Sequence, residues 1–390
     1  MPHTAHAAAP AHAAAAPAAL PDDVLVRICS FLPPGAAALT VPRLSKALAA
    51  EAAPRVAELQ AAAAAMREEA LCDRSVLYQS FSVPLWALQE AWPQLTHEQR
   101  VHAAARAAFN GDLGTLRWAL PQRYNAGALY CEAAAAGGQL EALQCARALG
   151  CGWRETTCEA AAAGGHLAVL QWARAQQPPC PWDEDTCRAA AWGGHLAALQ
   201  WLRAQQPPCP WNGRTCSAAA SGGHLAMLQW ARAQQPPCPW SAETCSAAAA
   251  GGHLAVLQWA RAQQPPCPWD HWAFGTAAQE GHLAVLQWLR AQQPSPPGEV
   301  WICDKAAENG QLAVLQWARA QQPPCPWDEE TCTRAAENGH LAVLQWMRAQ
   351  DPPCPWSVLE CYRIAMSSCA KDDPMVEWVR AQAALEGEEL

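Results

Sequence analysis

The chain has 390 residues, with 26 Lys plus Arg against 35 Asp plus Glu and a formal net charge of -9. That balance excludes a general basic surface as a means of holding phosphate, so no nucleic-acid partner is expected. Only 4 Phe and 4 Tyr accompany 21 Trp, a skew that arises when one segment has been copied many times.

Residues 1–19 are mostly Ala, Pro and His. They carry no Lys or Arg for a signal-peptide n-region, and neither the Arg nor the Ser of a transit peptide. A disordered leader is expected, with organelle targeting as the alternative. Nowhere does the chain approach the roughly 18 consecutive apolar residues of a membrane span, and no membrane association is expected. The 19 cysteines are odd in number, and a chain this long does not need a disulfide framework. Their thiols suit reducing cytoplasm or nucleus.

Residues 20–55 hold two amphipathic pieces. Pro21 suits a first helical position, and Asp22 and Asp23 suit the first turn. Val24, Leu25, Ile28 and Leu32 fall on one face. Leu39 to Leu48 forms a second piece, interrupted by Pro42. The Leu20-Pro21 opening, the helix closing on Phe31-Leu32-Pro33 and the Val41-x-Arg43-x-x-Lys46-x-Leu48 pattern resemble an F-box. The resemblance implies that Leu20, Pro21, Val24, Leu25, Ile28 and Leu32 dock the adaptor subunit of a cullin–RING ubiquitin ligase. A plain helical cap would use the same apolar residues, and both readings stay open. Residues 56–99 read as a helical linker or cap, broken by Pro84 and Pro93 near Trp86 and Trp92, which are expected to seal the first repeat.

From residue 100 to 385 the sequence repeats. A Gly-Gly-His-Leu segment followed by Leu-Gln-Trp places His166, His195, His224, His253, His282, Gln311 and His340 at a constant step of 29 residues. Upstream, Gln139 and Asp112 hold the same place at steps of 27. About ten copies are expected, with atypical first and last members that face water on one side. Residues 386–390 are a tail.

One copy runs from Asp183 to Trp211. Asp183 to Thr186 offers capping oxygens for a short Ala-rich helix, Cys187 to Trp192, which Gly193 and Gly194 end. A second helix follows from about His195 to Gln205, and Pro207, Pro208 and Pro210 impose an extended connection. Such pairs bury their apolar faces only by stacking on identical neighbours. The expected fold is therefore all-α, a helical-repeat solenoid with a small N-terminal helical module. The Thr-Cys-x-x-Ala-Ala-x-x-Gly-His-Leu pattern, closest in Ala335 to Val343, resembles the ankyrin repeat, and the Cys-Pro-Trp variant resembles large families in algae and other protists. The period is shorter than that family's, and Pro-Pro-Cys-Pro-Trp replaces its β-hairpin, so the projecting finger is expected to be shortened or absent.

Two cysteine ladders, one from Cys131 through Cys187 to Cys361 and one from Cys151 through Cys209 to Cys354, are read as small buried thiols. Like-positioned members sit too far apart to bridge, because packed helices lie about 8–10 Å apart. A zinc site from Cys180, Cys187 and His195 lacks structural-zinc spacing, and neither metal nor cofactor is expected. The His column is read as structural, because Gln replaces it. No catalytic arrangement stands apart from the repeat, so the chain is not expected to be an enzyme. The Arg column, Arg147, Arg174, Arg203, Arg232, Arg261, Arg290, Arg319, Arg348 and Arg380, is read as solvated helix-end charge, with a basic stripe as the alternative. The Trp columns are read as packing.

Recognition is expected where copies differ. One column is Glu159, Arg188, Ser217, Ser246, Asp304, Thr333 and Tyr362; another is assigned to Ala163, Trp192, Ser221, Ala250, Glu280, Asn309 and Asn338. After Pro-Trp come Asp183-Glu184-Asp185, Asn212-Gly213-Arg214, Ser241-Ala242-Glu243 and Asp270-His271-Trp272. From these, Arg188, Trp192, Arg214, Ser217, Ser221, Glu243, His271, Trp272, Glu280, Asp304, Asn309 and Asn338 are expected to face a protein partner from the concave side or its rim. The expected function is protein binding by a monomer. It is read either as substrate recognition within a cullin–RING ligase or as a general ankyrin scaffold without a ubiquitin link.

Overall fold

The computed structural model describes residues 85, 88, 89, 92–122, 127–295, 297–368 and 373–388. Leu20, Pro21, Val24, Leu25, Ile28, Leu32 and Trp86 lie outside the described residues. Among those described, every regular element is helical. They fall into two compact units, residues up to 153 and from 154 onward.

The first unit holds two helix pairs: α1 (His97–Asn110) with α2 (Leu113–Ala119), and α3 (Leu129–Ala136) with α4 (Leu140–Ala148). Trp92 is buried beside α1, edge-on to Trp118 at 4.8 Å and beneath the Arg100 guanidinium at 5.7 Å. It covers the end of that unit's apolar layer, as its position in the sequence suggests.

The second unit holds eight pairs. They are α5 (Glu155–Ala163) and α6 (Leu167–Ala175), α7 (Glu184–Trp192) and α8 (Leu196–Ala204), α9 (Gly213–Ser221) and α10 (Leu225–Ala233), and α11 (Ala242–Ala250) and α12 (Leu254–Arg261). Then come α13 (Trp272–Gln279) and α14 (Leu283–Ala291), α15 (Ile302–Glu308) and α16 (Leu312–Arg319), α17 (Glu329–Glu337) and α18 (Leu341–Arg348), and α19 (Val358–Ser368) and α20 (Pro374–Glu386).

The α7–α8 pair shows why the sequence breaks where it does. The Asp183 carboxylate accepts from the Asp185 and Thr186 amides at 3.1 and 3.3 Å, and the Thr186 hydroxyl accepts from the Asp183 amide. Two orphan donors of the first turn are thereby satisfied. Gly194, at φ +75°, ends the helix in the left-handed region and lets the His195 amide reach the Ala190 carbonyl at 2.9 Å. Then α8 runs to Gln205, which is extended, and the chain doubles back through a cis Gln206–Pro207 bond. The Cys209 amide donates to the Leu202 carbonyl at 3.1 Å, which seats the loop on the end of α8. No strand forms in this loop.

Odd-numbered helices stack side by side through the second unit, each against the next. Ala191, Ala220 and Ala249 are fully buried between them, since methyl side chains permit close approach. Behind them Leu170, Leu199, Leu228, Leu257, Leu286, Leu315 and Leu344 form a spine with no exposure. Each contributes about 1.5–3 kcal/mol of burial, realised only when a neighbouring pair is present. The last pair is longer and irregular: Asp373 caps α20, and Glu386 accepts from Arg348 at 2.9 Å and from the Trp356 indole at 3.2 Å. Among the described residues no helix is long and apolar enough to cross a membrane.

Candidate functional site

Three constant devices hold each copy in place. The first is built on the Arg column. Arg232 sits late in α10, donates through Nη1 to the Cys238 carbonyl at 2.6 Å, and lies 4.1 Å above the Trp240 ring. Trp240 in turn meets Trp259 edge-on at 6.0 Å. The clip recurs at Arg174, Arg203, Arg261, Arg319 and Arg348, each over the Trp of its own loop and each donating to that loop's Cys carbonyl. The first unit holds an equivalent in Arg147, Trp153 and Cys151. These arginines are therefore neither solvated helix-end charges nor a basic stripe. They fasten the Pro-rich loops, and each keeps its fork turned inward.

The second device is the His column. Each Nε2–H donates to a backbone carbonyl of the preceding copy: His195 to Ala163, His224 to Trp192, His253 to Ser221, His282 to Ala250 and His340 to Glu308, all at 2.8–3.0 Å. Gln311 makes the same bond to Gln279 at 3.1 Å, which explains why an amide substitutes for imidazole. Donation to a fixed carbonyl is a positioning role.

The third device joins the two cysteine ladders to each other. The Cys187 thiol donates to the Cys209 carbonyl at 3.8 Å, and the Cys209 thiol donates to the Asp183 carbonyl at 3.2 Å. All described cysteines are free. Cys187 therefore faces Cys209 rather than Cys180, and among the described residues no group of three or more His, Cys, Asp or Glu could hold a metal ion. Hydrogen bonding to Cys187 and then burial push the Cys209 thiol far above its ordinary range, and burial raises Cys361 to about 11. Thiolates are the reactive species. Accordingly, iodoacetamide is expected to modify half-buried Cys145 first, and buried Cys187 and Cys209 only after denaturant is added. A peptide map showing Cys187 or Cys209 alkylated in the native protein would contradict the packing described.

On this constant frame the variable positions divide. The column Glu159, Arg188, Ser217, Ser246, Asp304 lies between neighbouring first helices. Arg188 bridges Glu159 at 2.9 Å and Asp185 at 2.7 Å. Ser217 is buried, bonding the Gly213 carbonyl and the Thr244 hydroxyl. Asp304 accepts from Thr331 at 2.6 Å, and burial raises its carboxyl above the ordinary range. Ser217 therefore does not face a partner, and Arg188 and Asp304 are engaged within the stack: a helix face two turns long contacts the next copy before it contacts anything else. Glu280, Asn309 and Asn338 also move. They stand at the ends of α13, α15 and α17, where other copies have Gly193 or Gly222, one position later than Trp192 and Ser221. Asn309 and Asn338 turn back onto the Lys305 and Arg334 carbonyls. Trp192 is 59% exposed, and Ser221 is half-buried.

Several positions just after the loops stay exposed. Arg214, Glu243, His271 and Trp272 are all exposed. Continuing the step of 29 from Trp272 reaches Trp301, Glu330 and Leu359, which are exposed too. Trp301, Glu330 and Leu359 were not among the expected residues; the loop before Trp301 lacks Pro-Trp, which hides the register there. Counting from Trp272 alone finds them.

No protein-family model matches the chain, and no curated protein matches it. Among solved structures it is similar to the pentatricopeptide repeat protein PPR10 in complex with an 18-nt psaJ RNA element, with a TM-score of 0.37 and 14% identity over 95% of this chain and 54% of that one. It is also similar to PPR10 from maize, with a TM-score of 0.33 and 15% identity over 81% of this chain and 53% of that one. The chain spans about half the length of the solved structures it matches.

Proposed function

We propose that this chain is a non-enzymatic, ankyrin-type repeat scaffold that binds a protein, and that residues 20–55 act as an F-box that links it to a cullin–RING ubiquitin ligase. The observation that carries the binding reading is the contrast within each copy. Arg, Trp, His and Cys are spent on constant internal contacts, while the exposed position after each loop changes from Arg214 to Glu243 to Trp272. A scaffold with an invariant frame and a variable edge is the arrangement by which solenoids recognise partners. The His column from His195 to His340 is held by carbonyls of the preceding copy, and the cysteines from Cys158 to Cys361 are buried, which supports a non-catalytic role. The cytoplasm or nucleus fits a chain rich in free thiols.

The ligase reading rests on the Leu20-Pro21 opening and the Val24, Leu25, Ile28 and Leu32 face. Its test is a pull-down of the intact chain and a Leu25→Asp, Ile28→Asp variant, probed for the adaptor and the cullin. Capture by the intact chain and loss in a variant with an unchanged thermal transition is the expected result. Capture by neither would leave a general repeat scaffold whose N-terminal helices serve as a cap.

A further inference from the structure

Eight residues occupy one equivalent position in the second unit: Thr156, Asp185, Arg214, Glu243, Trp272, Trp301, Glu330 and Leu359, each 29 residues from the next. They stand at the starts of first helices that pack side by side. Two are occupied internally, since Asp185 pairs with Arg188 and Glu330 with Arg334 at 2.6 Å. The side chains of Arg214, Glu243, Trp272 and Trp301 make no hydrogen bond or ion pair with another described residue. Trp272 and Trp301 are 52% and 45% exposed, and neighbouring Val300 is 58% exposed. Exposed indoles in two successive copies call for a cause, since the loop Trp rings, such as Trp211 and Trp240, lie beneath arginines.

The loop between them supplies one. Residues 294–298 read Pro-Ser-Pro-Pro-Gly, where the other loops of this unit carry Pro-Pro-Cys-Pro-Trp. With no Trp to clip, Arg290 pairs with Glu299 at 2.7 Å. Gly298, at φ +102°, passes so close to His271 that a Cβ would stand 2.6 Å from its carbonyl oxygen. That close approach places the segment bearing Val300 and Trp301 against the start of α13, where Trp272 lies. The departure from the repeat is thus confined to the place where the apolar pair is displayed.

We propose that this row binds an extended peptide segment in which an acidic residue, a basic residue and two apolar residues follow at intervals of three. The proposal rests on the protein-binding reading above and gives it a register. Side-by-side helices are about 8–10 Å apart, and an extended chain rises about 3.3 Å per residue, so one copy spans about three partner residues. The acid meets Arg214, the base meets Glu243, and the two apolar residues cover Trp272 and Trp301, all four within about ten residues. Charge complementarity favours this occupant over RNA: the indoles could stack bases, but Glu243, one copy before Trp272, presents a carboxylate that repels a phosphate chain.

The test uses the full chain and two fluorescent peptides, Asp-x-x-Lys-x-x-Leu-x-x-Leu with Gly/Ser spacers and its reverse, beside a scrambled control and oligo(U). One orientation is expected to bind more tightly than the scrambled control. Binding should weaken at least about tenfold in a Trp272→Ala, Trp301→Ala variant, as expected for aromatic anchors. An Arg214→Glu, Glu243→Arg variant should prefer the peptide with Asp and Lys exchanged, by about threefold or more. These side chains are exposed, so the variants should keep the native helical signal. Peptide binding unchanged by both variants would overturn the register and leave protein binding by another face standing. Failure of both orientations together with Trp-dependent binding of oligo(U) would overturn the register and the protein-binding reading alike.

Discussion

Replacing Arg232 with Leu is expected to lower the unfolding free energy by about 2–4 kcal/mol. A hydrogen bond from a charged donor contributes about 1.5–3 kcal/mol and a cation–π contact about 0.5–2 kcal/mol. Arg232 makes one of each, to the Cys238 carbonyl and the Trp240 ring. Leu keeps much of the stem's packing, which isolates the head group. Arg232→Lys is expected to recover less than half of the loss, because an ammonium lacks the planar fork that stacks and donates together. The measurement is the urea midpoint of the intact chain. A Leu variant within about 0.5 kcal/mol of the parent would return these arginines to the status of solvated helix-end charges.

A second large effect is expected at Gly194, and its contrast lies at Gly213. Gly194 has φ +75°, and an added Cβ would stand 2.5 Å from the His224 ring. Ala pays about 1–2 kcal/mol for the left-handed backbone alone. Moving the ring also weakens its bond to the Trp192 carbonyl, 3.0 Å away, for about 1 kcal/mol more. A total of about 2–4 kcal/mol is expected for Gly194→Ala. At Gly213 nothing lies within 4 Å of the Cβ position, and Ala there should be neutral or stabilising by up to about 1 kcal/mol. Thermal melts of the two variants side by side decide it. Equal and small shifts would mean that the His–carbonyl link does not hold the copies in register.

The contrast between those two glycines shows how far local reading reaches. Gly194 recurs every 29 residues beside His, and its role in ending the helix is legible from that pattern. Gly213 stands where other copies have Glu184 or Ala242, and nothing in the sequence says how much room surrounds it. The arginines mark the same boundary. Their place late in each second helix is visible, but a helix-end cation has the same pattern whether it meets water or a ring. Only the return of the cis-Pro loop, which carries Cys238 and Trp240 to within reach of Arg232, distinguishes the two. Ser217 was misplaced for a related reason. A small polar residue on a short helix suits either a surface or a seam, and the neighbouring first helix makes it a seam.

The sequence by itself determined the period, the alternation of an Ala-rich helix with a Leu-bearing one, the Gly and Pro that end them, and the need for copies to stack; the first helix starts at Glu184 rather than Cys187 and is as long as the second, because Asp183 caps it. Those follow from capping residues, helix-breaking Gly and Pro, and apolar spacing, all acting within a few residues of one another. Tertiary structure alone decided which polar residues were consumed inside the stack and which stayed free. The thiol of one ladder meets the carbonyl of the other, the His of one copy meets the backbone of the copy before it, and the irregular loop at Gly298 exposes Trp272 and Trp301 together. Those contacts join residues 22 to 32 positions apart, a distance over which local pattern carries no directional information until the chain has folded back.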